Sequence, residues 1–295
     1  MFLSGRTLWR AVLGACVWML VGCGGAREVR PPRLARSVVL GQRAGQFAAG
    51  ARGWVYYTVM SYGGPAAANE LHTVEANGSP GAKVRLEPGA EVKAVAADGL
   101  GTLYLGVRKD GTTQVWVVAE HAGGETVEPK AKLTPELPGE LNGLFLGREP
   151  GTLYALCGDN WVVKLRTDGS VVQRVELPGD SRPEDGGVDA AGNLCIRRSG
   201  GPVVKVGADG TVDAAWAKSA AATHTSVRSV AVDSRGLVYV SASERDIHLR
   251  AYDANGELAF NVTAEPLASA PDRLVVTAAD WLYAQVGQQV FVFRP

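Results

Sequence analysis

Asp233-Ser-Arg-Gly-Leu-Val-Tyr-Val240 decides how the whole chain is read, because the same short phrase returns five more times. Its partners are Arg52-Gly-Trp-Val-Tyr-Tyr57, Asp98-Gly-Leu-Gly-Thr-Leu-Tyr-Leu105, Glu149-Pro-Gly-Thr-Leu-Tyr-Ala155, Asp189-Ala-Ala-Gly-Asn-Leu-Cys-Ile196 and Asp280-Trp-Leu-Tyr-Ala284. The glycine falls at Gly53, Gly101, Gly151, Gly192 and Gly236, with Asp280 in its place last, so the steps are 48, 50, 41, 44 and 44 residues. That is the period of four-stranded propeller blades.

An Asp three residues ahead of a Gly suits a tight turn: the carboxylate accepts turn N–H groups and Gly tolerates positive φ. Each phrase is therefore a turn feeding a strand. Two columns follow it, Val55, Leu103, Leu153, Leu194, Val238 and Leu282, then Tyr56, Tyr104, Tyr154, Cys195, Tyr239 and Tyr283. Neighbouring strand residues face opposite ways, so each blade offers an aliphatic to one side and, in five of six copies, a tyrosine to the other. A residue repeated in nearly every blade is better explained by packing between blades than by a ligand platform. Trp54 and Trp281, one residue earlier, share no column.

The expected fold is all-β: a six-bladed propeller of four-stranded antiparallel blades. The last copy is one strand short before Pro295, and Ser37-Val-Val-Leu40 resembles the outer-strand run Ser170-Val-Val-Gln173. Residues 36–41 are therefore expected to complete the last blade, joining the two ends of the chain and covering a sheet edge. Blades three and four look the most regular, carrying Trp161-Val-Val-Lys-Leu-Arg-Thr-Asp-Gly169 and Pro202-Val-Val-Lys-Val-Gly-Ala-Asp-Gly210. Asp-Gly between alternating runs is a strong hairpin signal. The middle of blade one, residues 61–69, is the most irregular.

The chain has 295 residues, 30 basic and 30 acidic, with 37 Gly and 15 Pro, a composition of turns and short strands. It has no basic face for a phosphate backbone, so nucleic acid is not an expected partner. Arg6 and Arg10 followed by the apolar run 11–22 read as a secretion signal, too short to span a bilayer. Leu20-Val-Gly-Cys23 then resembles the lipobox of bacterial lipoproteins, which implies a signal peptide over 1–22 and a diacylated Cys23. Leu13-Gly-Ala-Cys16 fits the same pattern, but cutting there leaves too short an apolar region. Gly24 rather than Asp after the cysteine implies, within that family, the outer membrane. Residues 23–35 read as a lipidated tether and 36–295 as the propeller.

The run from 183 to 210, with Asp189-Ala-Ala-Gly-Asn-Leu194, a basic strand and Asp-Gly, resembles the NHL-type six-bladed propellers, as do residues 227–256. That family shares its architecture with gluconolactonase-like and streptogramin-lyase-like proteins, and fold alone does not settle function.

Propeller ligands usually meet the channel mouth, placed here just before each innermost strand by counting back from the leading glycines. The residues found are Gln46, Lys93, Asn142, Glu184 with Asp185, Arg228 with Ser229, and Asp272 with Arg273. Gln46, Lys93, Asn142, Asp185, Arg228 and Asp272 are the candidate ligand-binding set. Resemblance to the lactonases implies a rival in which Asn142, Asp185 and Asp272 hold a divalent metal. Lys93, Arg228 and Arg273 in the same tier weigh against it, and no cofactor is expected under the main reading.

His72, His121, His224 and His248 recur at no common position. Only His224 falls near the channel, where resemblance to the streptogramin lyases implies a histidine. Cys157 and Cys195 sit at offsets that suggest opposite sheet faces and packed thiols rather than a disulfide. No phosphate loop, nucleophile elbow or zinc helix is visible. The expected protein is a monomeric, lipid-anchored binding or scaffold module of the cell envelope. Its expected partners are the membrane, through Cys23, and an envelope protein or extracellular ligand. A metal-dependent lactonase or lyase is the alternative.

Overall fold

The turn chemistry of the phrase sets the fold. Oδ1 of Asp98 accepts the N–H groups of Leu100 and Thr102 at 2.8 Å. Asp189 does the same with Ala191 and Asn193, and Asp233 with Arg235 and Leu237, all at 2.9 Å. The glycines close these turns at positive φ, 91° at Gly101 and 84° at Gly236, and Asp280 adopts the same left-handed region with φ 60°. Each turn delivers the chain into the second strand of a blade.

The computed structural model describes residues 30–295 except 43, 51, 60–68, 120–127, 225, 244–246, 263–266 and 268. Cys23, the signal segment, His121 and most of the irregular 61–69 loop lie outside the described residues. A first strand, β1 (Arg33–Val39), precedes six blades. Blade one is β2 (Ala44–Ala49), β3 (Val55–Val59), β4 (Glu70–Val74) and β5 (Val84–Arg85); blade two is β6 (Glu91–Ala97), β7 (Thr102–Lys109), β8 (Thr112–Ala119) and β9 (Ala131–Leu133). Blade three is β10 (Leu141–Leu146), β11 (Thr152–Cys157), β12 (Trp161–Arg166) and β13 (Val171–Glu176); blade four is β14 (Pro183–Val188), β15 (Leu194–Arg198) and β16 (Val204–Val206). Blade five is β17 (Val227–Val232), β18 (Val238–Ala242), β19 (Leu249–Tyr252) and β20 (Leu258–Asn261); blade six is β21 (Arg273–Val276), β22 (Leu282–Val286), β23 (Gln289–Arg294) and, outermost, β1. The first strand of each blade lies innermost, and the six inner strands neighbour one another in sequence order until β21 meets β2.

The closure is as expected, with β1 antiparallel to β23 from Arg33 opposite Arg294 to Val39 opposite Gln289. The strand begins three residues earlier than the sequence reading placed it and ends two earlier, although the N–H of Leu40 still bonds Gln288 at 2.7 Å. Val38 and Leu40 are buried, and Arg36 donates to the carbonyls of Gly53 (3.0 Å) and Ala76, so the added strand also grips blade one.

Blade four departs from the four-stranded pattern. Its outer edge is one isolated bridge, Val206 with Val212, followed by a single 3-10 turn, Trp216–Lys218. Asp213 caps that turn by accepting the N–H groups of Ala215 (2.9 Å) and Trp216 (3.0 Å). The Trp216 ring is buried, with its Nε1–H on the Val203 carbonyl at 3.1 Å, so the indole covers the edge that a fourth strand covers elsewhere.

Both sequence columns are buried along their whole length. Tyr56 packs with Leu103, Tyr104 with Leu153, Tyr154 with Leu194, Cys195 with Val238, Tyr239 with Leu282 and Tyr283 with Val55. Each tyrosine thus meets the aliphatic of the next blade, and the last pair closes the ring. Burying such side chains stabilises each blade interface by about 1.5–3 kcal/mol per residue.

Candidate functional site at the channel mouth

The mouth is shaped by a backbone irregularity that repeats around the ring. Near the start of an inner strand, one residue too many stands opposite the second strand. Lys93 is the extra residue between the pairs Val92–Val107 and Ala94–Gly106, Asn142 between Leu141–Cys157 and Gly143–Leu156, Glu184 between Pro183–Arg198 and Asp185–Arg197, and Arg228 between Val227–Ala242 and Ser229–Ser241. Blade one slips at Gly45 and Gln46, where the Gln46 N–H bonds Thr58 Oγ1 at 2.9 Å instead of a ladder carbonyl. Blade six pairs regularly, Arg273 with Gln285. Such bulges re-aim side chains and favour sheet ends near sites. The residues found by counting from the glycines are these bulge residues and their neighbours. They lie inside the inner strands rather than ahead of them, with Asp272 the exception. The strand-start estimate was short by one or two residues because the bulge adds to the strand.

Most of this rim is internally engaged. The Arg228 guanidinium donates to Asp272 at 2.8 Å and to Ser243 Oγ at 2.7 Å, while the second Asp272 oxygen accepts the Gly287 N–H at 3.2 Å. Arg197, which the sequence reading passed over, pairs with Glu184 at 2.6 Å and is only 10 % exposed at its side chain. Lys93 pairs with Glu91 at 2.6 Å. Asp185 accepts the Gly186 N–H (2.9 Å), the Val230 N–H (3.3 Å) and the Ser229 hydroxyl. Ser229 in turn accepts the Leu274 N–H at 2.8 Å, so one chain of hydrogen bonds ties the inner strands of blades four, five and six.

The residues of the metal alternative, Asn142, Asp185 and Asp272, are each engaged by protein groups. Asn142 turns its amide N–H onto the Gly158 carbonyl of its own blade at 2.7 Å, and the two carboxylates are held by different partners. Among the described residues no three His, Cys, Asp or Glu side chains are grouped to hold a metal. His224 contacts the Tyr252 hydroxyl with its Nε2 and packs edge-on to that ring at 5.6 Å, away from the well. His72 pairs with Glu70 at 3.4 Å and packs at a tilt against the Tyr57 ring, 5.4 Å away. Burial, aided by Lys83 and opposed by Glu70, lowers the affinity of His72 for its proton.

Inside the rim the inner strands enclose a cavity of about 390 Å³, with Gln46, Glu184, Asp185 and Arg273 at the mouth and Phe47, Phe145, Leu274 and Val276 among its walls. That volume is within the range of small-ligand pockets, roughly 300–1,000 Å³. Gly186 and Gly187 let the inner strand of blade four pack closely, since a Cβ on Gly186 would lie 2.7 Å from the Ile196 side chain of the same blade and one on Gly187 2.7 Å from the Val232 main chain of blade five. The far end is floored by Arg148, whose guanidinium donates to the carbonyls of Val188 (3.1 Å) and Val232 (2.8 Å) and meets Asp280 at 3.5 Å. Asp280 also accepts the Ser234 N–H at 2.8 Å.

Cys157 and Cys195 are free and buried, in the packing layers of different blade pairs, two and three against four and five. Burial pushes each thiol up to about 12.

No family model matches the chain, and no curated protein matches it in sequence. Solved structures do. A protein of unknown function from Bacteroides caccae superposes with a TM-score of 0.57 at 12 % identity, covering 80 % of this chain and 86 % of its own. Virginiamycin B lyase from Staphylococcus aureus superposes with a TM-score of 0.58 at 14 % identity, covering 85 % of this chain and 80 % of its own. At these identities the likeness is one of fold, and the six-bladed all-β propeller is the conclusion it supports.

Proposed function

We propose that this protein is a binding module tethered to the cell envelope, taking its ligand into the channel from the bulged mouth. The observation that carries the reading is the well inside the inner strands, with apolar walls and a rim whose carboxylates are already held by Arg197, Ser229 and Arg228. Such a site is arranged to hold a molecule. The histidines whose contacts are described, His72 and His224, bond to Glu70 and Tyr252 rather than to the well.

In this reading Cys23 carries the lipid and β1 sets the orientation. The inner strands run from the mouth to the floor, and β23 and β1 alternate in direction from them, so β1 starts at the floor side with Arg33. An anchor ten residues ahead of Arg33 turns the floor side to the membrane and the mouth away from it. The outer membrane is the proposed address.

The test combines labelling and melting. Full-length protein expressed in a diderm bacterium should incorporate labelled palmitate, and Cys23→Ala should lose the label. The melt of the soluble protein beginning at residue 24 should not respond to chelator, calcium or zinc. A rise of several degrees with metal, absent in Asp185→Asn, would replace this reading with that of a metal-dependent lactonase or lyase.

A further inference from the structure

One charged group at the rim stands apart from the paired set. Arg273 lines the well from the first position of β21, and its guanidinium meets no acceptor among the described residues. The side-chain amide of Gln46, on the adjoining inner strand of blade one, lines the same mouth and is also without a partner among the described residues. Every other charged group of the rim tier has one, as Lys93 has Glu91 and Arg228 has Asp272. At the floor, Arg148 is committed to two carbonyls and Asp280. The acceptor-seeking groups are therefore at the mouth, and the apolar surface lies below them.

We infer that the well binds an amphiphile with a single carboxylate head, the head on Arg273 and Gln46 and the body against Phe47, Phe145, Leu274 and Val276. This rests on the binding reading above and names its ligand class. A guanidinium presents a planar fork that matches a carboxylate with two parallel hydrogen bonds, and Gln46 adds a neutral donor beside it. Glu184 and Asp272 are already paired with Arg197 and Arg228, while Asp185 lines the same mouth as Arg273 and is held by Ser229 and main-chain N–H groups. With Asp185 set against Arg273, the mouth has no surplus positive charge for a dianionic phosphate monoester, so a head of one charge suits it better. An amine head would meet Arg273 as a like charge, and an alcohol would leave its fork half used.

The experiment is a calorimetric titration of the soluble protein beginning at residue 24 with four ten-carbon probes: decanoate, decyl phosphate, decan-1-ol and decylammonium. Decanoate should saturate a single site, with each of the other probes weaker by about tenfold or more. Arg273→Gln should weaken decanoate by a similar factor and leave decan-1-ol unchanged, and Gln46→Leu should weaken it less. Val276→Trp, which fills the well, should abolish binding of all four, with its melt checked to confirm folding. Equal affinity for the four heads overturns the inference, as does tighter binding of decyl phosphate, an Arg273→Gln variant that binds decanoate normally, or no saturable decanoate binding. Palmitate labelling and the metal melts score the envelope-binding reading independently, so either can fail alone.

Discussion

Arg148 and Asp280 stand on opposite blades, three and six, yet their side chains approach to 3.5 Å across the floor of the channel. Both are largely shielded, with side-chain exposures of 19 % and 18 %, and Arg148 also holds the carbonyls that end the inner strands of blades four and five. One guanidinium thus links four of the six blades at the axis. Replacing it with an apolar side chain of similar length leaves two carbonyls and a carboxylate without their donor. Arg148→Met is expected to lower stability by about 3 kcal/mol in urea unfolding. Asp280→Asn, which keeps both the left-handed tolerance and the bonds to Ser234, should cost about 1 kcal/mol. Equal losses from the two variants would show that the ion pair, and not the bonds to carbonyls, carries the link.

Removal of β1 tests the closure. Val38 and Leu40 are buried at 2 % and 1 %, and six register pairs join β1 to β23. A protein beginning at residue 42 should lose about 4 kcal/mol from those two side chains alone, a fall of roughly 10 °C in Tm. It should also associate through the bared edge of β23, seen as concentration-dependent scattering. An unchanged melt would show that the strand is ornamental.

The fold was legible because the repeated phrase turns the chain into a second strand six times: an aspartate takes turn N–H groups in three copies, glycine turns the chain in five, and the two columns pack blade on blade in all six. The tier at the mouth was legible for the same reason, since a fixed period lets one leading position locate a residue seven to nine positions away in every blade. The bulge itself left no mark in the residues, because Lys93, Asn142, Glu184 and Arg228 share only polarity. The end of blade four escaped because Thr211 to Lys218 lacks alternation, and only Asp213 and Trp216 hinted at a capped turn over a buried indole. The Arg148–Asp280 contact was out of reach, since its partners lie 132 positions apart and each sits in a turn. Its one signal was an aspartate where five copies carry glycine.

The turn aspartates should rank by burial. Asp233 is fully buried, accepts two main-chain N–H groups and the Nε and Nη2 of Arg235, and faces the Tyr239 hydroxyl at 3.3 Å. Asp98 takes two N–H groups and touches its tyrosine only at 3.5 Å. Asp233→Ala is expected to cost about 3 kcal/mol and Asp98→Ala about 1 kcal/mol, measured by chemical unfolding. The same burial, with Asp233 beside it, raises the Tyr239 phenol well above its ordinary range. Ultraviolet titration should therefore find Tyr239 un-ionised until the alkaline unfolding transition.

The two thiols give a pH test of definite sign. Burial raises both to about 12 from an ordinary value of 9.0, so the fold favours the neutral thiol. Their contribution is complete below the unfolded value and is lost as pH climbs from about 9 through about 12. Stability should decline over that window, less steeply in Cys157→Ala with Cys195→Ala, after allowing for the cavities these create. In the native protein at pH 8, iodoacetamide should modify neither thiol, and in urea both.

A pull on the chain ahead of Arg33 against a load held at the mouth runs along β1 rather than across it, because the strand starts at the floor side and ends toward the mouth. The six register pairs are then loaded together in shear, and none can peel ahead of the rest. The same strand that seals the ring is thus the mechanical clasp of the molecule, and its resistance to force should exceed what its modest length suggests for slow, equilibrium unfolding.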